Sequence, residues 1–194
     1  MQTNSSQDVN FLPTKRGYRI AYQCHKSKQS QKNKCGILFI HGHGSDMFGS
    51  KAQAMMDWAI DRDIDFTRFE LFGHGQTGGD IMTATIGQWI HDTCDIFDQV
   101  LEKRQIVVGS SLGGWIMLSL CKYRTAKIDS LVGIAAAPDF TKSLIWETLD
   151  KSKQEEFRAQ GYLGVADPSG GPDIIYPYQL VEEAENHLVL ERPI

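Results

Sequence analysis

The chain has 194 residues, a length that favours one domain. Apolar residues make up 41% of it, and 20 basic against 24 acidic side chains give a formal charge of −4. This balance excludes a broadly basic nucleic-acid-binding surface, and we expect no nucleic-acid partner. The sequence has no apolar run near the roughly 18 residues that a membrane span needs and no secretory pattern at its start, so we expect a cytoplasmic protein without a span.

Apolar strands and amphipathic helices alternate along the sequence. Residues 1–16 are polar, and we expect them to be flexible. The predicted strands are 18–24, 36–40, 64–71, 106–108 and 130–135, and the predicted helices are 45–62, 86–101, 113–123, 141–160 and 177–190. The lysine-rich stretch 26–34 is typical of an exposed hairpin loop. The alternation predicts an α/β domain over 17–194, with a mostly parallel sheet of buried strands between helices. The less regular residues 139–178 suit a small lid.

A G-x-S-x-G pattern, Gly-Ser-Ser-Leu-Gly at 109–113, lies between a β-branched strand and an apolar helix. This context is typical of a nucleophile elbow, in which a serine sits on a sharp, strained turn and glycines prevent collisions of neighbouring Cβ atoms. Ser111 is therefore the candidate nucleophile, and the N–H of Leu112 is a candidate oxyanion donor. The alternative is an ordinary glycine-rich strand-to-helix turn.

A second glycine-containing turn, His-Gly-His-Gly at 41–44, directly follows a buried strand. Such a turn can supply the other oxyanion donor, and we assign it to the backbone N–H of His43. The two imidazoles of His41 and His43 leave a metal site as an alternative. Because no cysteine or acid stands beside them at ligand spacing, Asp46 being the nearest acid, we expect neither a metal nor another cofactor.

The third loop, Leu-Phe-Gly-His-Gly-Gln-Thr-Gly-Gly at 71–79, also follows a strand. It lacks both the G-x-G-x-x-G spacing and the Lys-Ser/Thr pair of phosphate-binding loops. We interpret it as a tight loop beside the site in which His74 is structural.

Together these loops resemble the α/β-hydrolase superfamily. The segment H-G-H-G-S-D-M-F-G-S-K-A is similar to a signature of the branch that holds the mitochondrial palmitoyl-protein thioesterase and acyl-glucuronide esterase, with their bacterial relatives. The similar segments are 41–52, 73–78, 85–89, 108–115 and 133–140. The resemblance implies an α/β-hydrolase fold and a serine hydrolase that acts on small-molecule or acylated-protein esters or thioesters through an acyl-enzyme. Ser111, His43 and Leu112 carry over by position.

The superfamily's order of catalytic residues, serine, then acid, then histidine, is not visible here. The resemblance places the acid-bearing strand where this sequence ends, so we expect a C-terminally truncated domain without the last strands and helix. Activity is then doubtful, and the alternative is a non-catalytic hydrolase-like remnant or interaction module. We also expect an exposed apolar sheet edge along 131–134, which a partner would cover.

Two residues after Ser111 are candidates to replace the missing acid and base. His187 is the only histidine there, and its position in a predicted helix is typical of a surface residue. Asp139 follows a strand and could stand near the elbow, but its spacing to Lys142 is more typical of a helix N-cap.

Overall fold

The computed structural model describes residues 8–28, 35–167 and 170–191. The strands are β1 (Asn10–Pro13), β2 (Arg19–His25), β3 (Cys35–Ile40), β4 (Phe66–Phe69), β5 (Arg104–Ser110), β6 (Ile128–Ile134), β7 (Tyr162–Val165) and β8 (Ile174–Pro177). The helices are α1 (Ser50–Asp61), α2 (Ile86–Gln99), α3 (Leu112–Arg124), α4 (Lys151–Gln160) and α5 (Tyr178–Ala184). Within these residues, six strands form one sheet in the order β1-β2-β4-β3-β5-β6, and β7 pairs with β8.

The predicted α/β fold is confirmed. Strands β4, β3, β5 and β6 are mutually parallel, whereas β1 and β2 add an antiparallel margin. Side chains of β3 alternate between two cores: Leu38 and Ile40 join the large one, whereas Ile37 and Phe39 face α1. This period of two is what places helices on both faces of one sheet. No helix in the described part of the chain is long and apolar enough to cross a bilayer.

Three local predictions need correction. Part of the segment expected to be flexible, Asn10–Pro13, forms β1 and pairs antiparallel with β2. Strands β2 and β3, which flank the predicted hairpin loop 26–34, do not pair with each other, because β4 lies between them; residues 29–34 lie outside the described part. The single helix expected over 141–160 is interrupted after a π-helical turn and a short 3₁₀ turn. Asp150 then starts α4 by accepting a hydrogen bond from the N–H of Lys153, and a side-chain N-cap favours a new helix start.

Strand β6 forms the edge of the described sheet. It pairs with β5 on one side, and Leu131 and Val132 are 38% and 45% exposed. An edge strand lacks one neighbour, so its side chains and one row of its backbone groups reach solvent. The exposed apolar edge expected along 131–134 is therefore present in the described residues.

Candidate active site

Ser111 lies at the turn between β5 and α3 in a strained backbone conformation. Its φ of 52° and ψ of −119° fall in a region that non-glycine residues rarely adopt. The turn is held on both sides: the Ser111 N–H donates to the carbonyl of Ile134 at 3.0 Å, and the Ser111 carbonyl accepts from Gly114 and Ala137 at 2.9 and 3.0 Å. Strain of this kind persists only where the surrounding structure enforces it, as these three bonds do here.

Glycines around Ser111 allow three backbone segments to touch. A Cβ on Gly109 would lie 2.3 Å from the carbonyl oxygen of Gly113, and a Cβ on Gly113 would lie 2.2 Å from the carbonyl oxygen of Ile40. A Cβ on Gly114 would lie 2.4 Å from the Cβ of Ala136. These separations are shorter than any real Cβ contact, so side chains at these positions would push α3 away from β5, from the end of β3 and from Ala136 after β6.

The side chain of Ser111 is exposed, and its hydroxyl forms no hydrogen bond within the described part of the protein. It does not cap α3, and no described residue hydrogen-bonds to it. A serine hydroxyl is a weak nucleophile unless a base is adjacent. The described residues therefore present Ser111 without a base in contact with it.

The turn at 41–44 passes directly against Ser111. A Cβ on Gly42 would lie 3.2 Å from the Ser111 Cβ and 3.7 Å from its Oγ. Gly42 thus borders the start of α3, where the first N–H groups of a helix have no intrahelical acceptor. The structure thus places the turn that contains His43 beside Ser111, at the start of α3.

His41 is a buried, neutral structural residue. Its Nδ1–H donates to the carbonyl of Gly42 at 2.7 Å, and its Nε2 accepts from the N–H of Leu71 at 3.2 Å. Burial lowers the pKa of His41 to about 4. Both ring nitrogens are thus engaged, and no group of three or more His, Cys, Asp or Glu side chains in the described ranges is arranged to hold a metal ion.

His74 links the third loop to the first. Its Nδ1–H donates to the carbonyl of Phe72 at 3.1 Å, and its Nε2 accepts from the N–H of Gly44 at 3.2 Å. Burial, reinforced by the neighbouring His41 and His43, lowers the pKa of His74 to about 3. These bonds confirm the structural role predicted for His74.

The third loop closes around the buried carboxylate of Glu70. Its Oε2 accepts from the N–H groups of both Gln76 and Thr77, and a Cβ on Gly75 would lie 2.2 Å from its Oε1. An acidic side chain already uses the loop's N–H groups, which makes the loop unsuited to a phosphate. The interpretation as a tight supporting loop agrees with this geometry.

The His43 side chain turns away from Ser111 and onto strand β8. Its Nε2–H donates to the carbonyl of Ile175 at 2.8 Å, and its ring stacks on Tyr176 with centroids 4.9 Å apart. Burial lowers the pKa of His43, so the imidazole is neutral at neutral pH. Because it forms no hydrogen bond with Ser111, it is not placed as a base, and its contribution to the site is the position of its backbone.

The structure corrects the expectation for Asp139. Its side chain does not cap the following helix; it accepts from the N–H groups of Val189 and Leu190 at 2.9 and 2.8 Å. Asp139 is buried and has a φ of 55°. Sequence reasoning missed this clamp between the end of β6 and residues 189–190, because nothing local to Asp139 indicates a partner fifty positions away.

His187 is not a simple surface histidine either. Its Nε2 lies 2.6 Å from Oε1 of Glu183, and that carboxylate also contacts the N–H of Gly87 at the start of α2 at 3.3 Å. Burial opposes ionisation of Glu183, but the bonds from His187 and Gly87 outweigh it and lower the pKa of Glu183. His187 and Glu183 therefore bond to each other and to the start of α2, and neither forms a hydrogen bond with Ser111.

The chain is similar to known proteins in sequence and in structure. The sequence model of a family described as "Alpha/beta hydrolase family" matches residues 37–190. The chain is 35% identical over 189 residues to the mitochondrial palmitoyl-protein thioesterase ABHD10 of Mus musculus, covering 96% of the chain and 61% of that protein. The human protein of the same name is 32% identical over 176 residues, covering 90% and 56%. The chain thus spans about three-fifths of the length of these curated relatives.

Two solved structures are similar throughout the chain. The structure of alpha/beta hydrolase domain-containing protein 10 from mouse matches with a TM-score of 0.84 and 34% identity, covering 96% of the chain and 73% of that structure. A putative hydrolase from Agrobacterium vitis matches with a TM-score of 0.85 and 28% identity, covering 95% and 73%.

Proposed function

Since the chain belongs to the alpha/beta hydrolase family, we propose that its site hydrolyses acyl esters or thioesters, with Ser111 as the nucleophile. The observation that carries the proposal is the strained, enforced backbone of Ser111 together with its exposed, unbonded hydroxyl. An exposed serine held in such a conformation has no evident structural use, because its side chain stabilises nothing in the fold. Strain of this kind concentrates at functional sites.

The proposed reaction begins with attack of Ser111 Oγ on the acyl carbon. The carbonyl oxygen becomes an oxyanion, and the backbone N–H groups of His43 and Leu112 stabilise it by donating hydrogen bonds. The positive end of the α3 dipole adds to this stabilisation. Departure of the alcohol or thiol leaves an acyl-Ser111 ester, which water then hydrolyses.

This reaction needs a base that the described residues do not supply at Ser111. Loss of the base from a serine triad lowers catalysis by several orders of magnitude and leaves what the oxyanion hole and binding provide. We therefore propose that residues 8–191 carry the nucleophile and the oxyanion hole, and that a further segment or partner chain brings the acid and the base. Strand β6 is the docking edge for it, because Leu131 and Val132 are exposed there.

The proposed substrate class rests on the chemistry of a serine nucleophile and on sequence similarity to the curated relatives. The curated relatives are named palmitoyl-protein thioesterases, and a serine nucleophile with an oxyanion hole serves thioesters and oxygen esters alike. A second function, a non-catalytic hydrolase-like module, is favoured by one observation, the lack of a described base at Ser111.

A fluorophosphonate probe distinguishes these two functions, because it labels only activated serines. We expect slow labelling of the chain alone and rapid labelling of a fusion that carries the remainder of the mouse relative. Ser111→Ala should abolish labelling, whereas Ser110→Ala, its neighbour, should leave the label in place. A folded fusion that never labels at Ser111 would refute the hydrolase proposal and favour the non-catalytic module. Rapid labelling of the chain alone would refute the proposed need for an external base.

A further inference from the structure

Arg68, in the middle of β4, has a buried guanidinium whose hydrogen-bonding capacity is only partly used. The residue is 3% exposed. Its Nε and Nη2 both donate to Oε1 of Gln23, at 3.0 and 2.7 Å, while Nη1 is buried and has no partner. It forms no ion pair with any carboxylate of the described residues. A buried charge without a counter-ion is unfavourable, so this arrangement calls for an anion.

An open cavity adjoins this guanidinium between the sheet and α1. Its volume is about 270 Å³, and Arg68 contributes to its wall. The ring of Phe48 lies over the guanidinium at 5.1 Å, and this ring is itself 43% exposed. Met56 and Ile60 of α1 add apolar wall. The cavity therefore combines one buried cation with apolar surroundings, and it shares no lining residue with Ser111 or its oxyanion donors.

We propose that this cavity binds a small organic carboxylate through Arg68. The planar edge of a guanidinium matches the two oxygens of a carboxylate, and the apolar walls suit a short alkyl or aryl group behind it. Asp57, at the cavity and bonded by Gln53 at 2.8 Å, adds a negative charge nearby. That charge makes a doubly charged phosphate a poorer ligand than a singly charged carboxylate.

The electrostatic state of Arg68 agrees with such a ligand. Burial lowers the pKa of Arg68, and the more distant Asp57 and Asp46 only partly oppose this effect. A carboxylate in the cavity beside Arg68 would supply the missing counter-charge.

The proposal is tested by titrating the whole chain with propanoate and benzoate while recording amide NMR spectra. The uncharged propanamide and inorganic phosphate serve as comparison probes. We expect saturable shifts at the side-chain amides of Gln23 and Gln53 with the two carboxylates, and weaker effects of both comparison probes. Arg68→Gln should weaken carboxylate binding by about tenfold or more, since it removes a charge-assisted hydrogen bond.

Arg62→Gln is the matched control, because Arg62 also stacks on an aromatic ring, Trp58, at 4.7 Å but lies outside the cavity. It should leave binding unchanged. If Arg68→Gln does not fold, the wild-type titration decides the question by itself. Absence of carboxylate-induced shifts at the two amides overturns the proposal, as does equal binding of propanamide or of phosphate.

Discussion

Replacing Ser111 by glycine should stabilise the protein while removing its reactive hydroxyl. A non-glycine residue at φ 52° and ψ −119° carries strain of roughly 1–3 kcal/mol. Glycine relieves it but gains freedom in the unfolded chain, which offsets about 0.5–1 kcal/mol. The hydroxyl stabilises nothing, because no described residue bonds to it. The net gain of Ser111→Gly over Ser111→Ala is therefore about 1 kcal/mol, while Ser111→Ala itself stays close to wild type.

Urea unfolding of the two variants measures this difference directly. In thermal unfolding, a gain of this size raises Tm by roughly 2–4 °C for a protein of this length. Ser110 supplies the control with the opposite sign, because it lies in regular strand β5. There, glycine should be less stable than alanine by about 0.5–1 kcal/mol. If glycine and alanine at position 111 are equally stable, the turn is unstrained and the argument that links Ser111 to function fails.

Three further predictions concern the clamp, the histidines and the edge. Asp139→Ala leaves the buried N–H of Val189 and the partly buried N–H of Leu190 without their acceptor and should destabilise the protein by about 2 kcal/mol in urea unfolding; Asp139→Asn, which keeps an acceptor, should cost less, and equal effects would contradict the clamp. His41 and His74 have folded pKa values of about 4 and 3, so the unfolded chain binds more protons between about pH 6.5 and 4. The free energy of unfolding should therefore fall by a few kcal/mol as pH falls through that window, and a flat profile would show that the two are not buried neutral. Val132→Lys on β6 should reduce self-association in analytical ultracentrifugation, whereas Leu144→Lys, exposed but off the edge, should not; equal effects of both would show that the edge is not special.

Local chemistry made several features predictable. The sharp turn at Ser111 was predicted from its glycines, because the steric requirement they meet lies within five residues, where Gly109 contacts Gly113. The helix α2 was found almost to the residue, since Thr85 caps it and its apolar side chains recur at helical spacing. Both are properties of short stretches of sequence.

Contacts between distant parts of the chain were not predictable in this way. Asp139 binds residues 189–190, and His43 bonds to Ile175, 132 positions away. No local pattern around Arg68 indicates that its guanidinium is buried beside Gln23 in the folded protein. Such hydrogen-bond partners are determined by how two distant segments pack together, and no local sequence pattern predicts them.

The sequence by itself indicated the alternation of strands β2 to β6 with helices α1 to α3 and the sharp glycine-containing turn at Ser111, because periodicity and glycine sterics act over a few residues. Only the tertiary structure decided that the His43 ring faces β8 instead of Ser111, and that β6 is an exposed edge. Both features depend on which segments pack together. Burial and strand pairing decide this between segments that lie far apart in the sequence, so no local pattern indicates it.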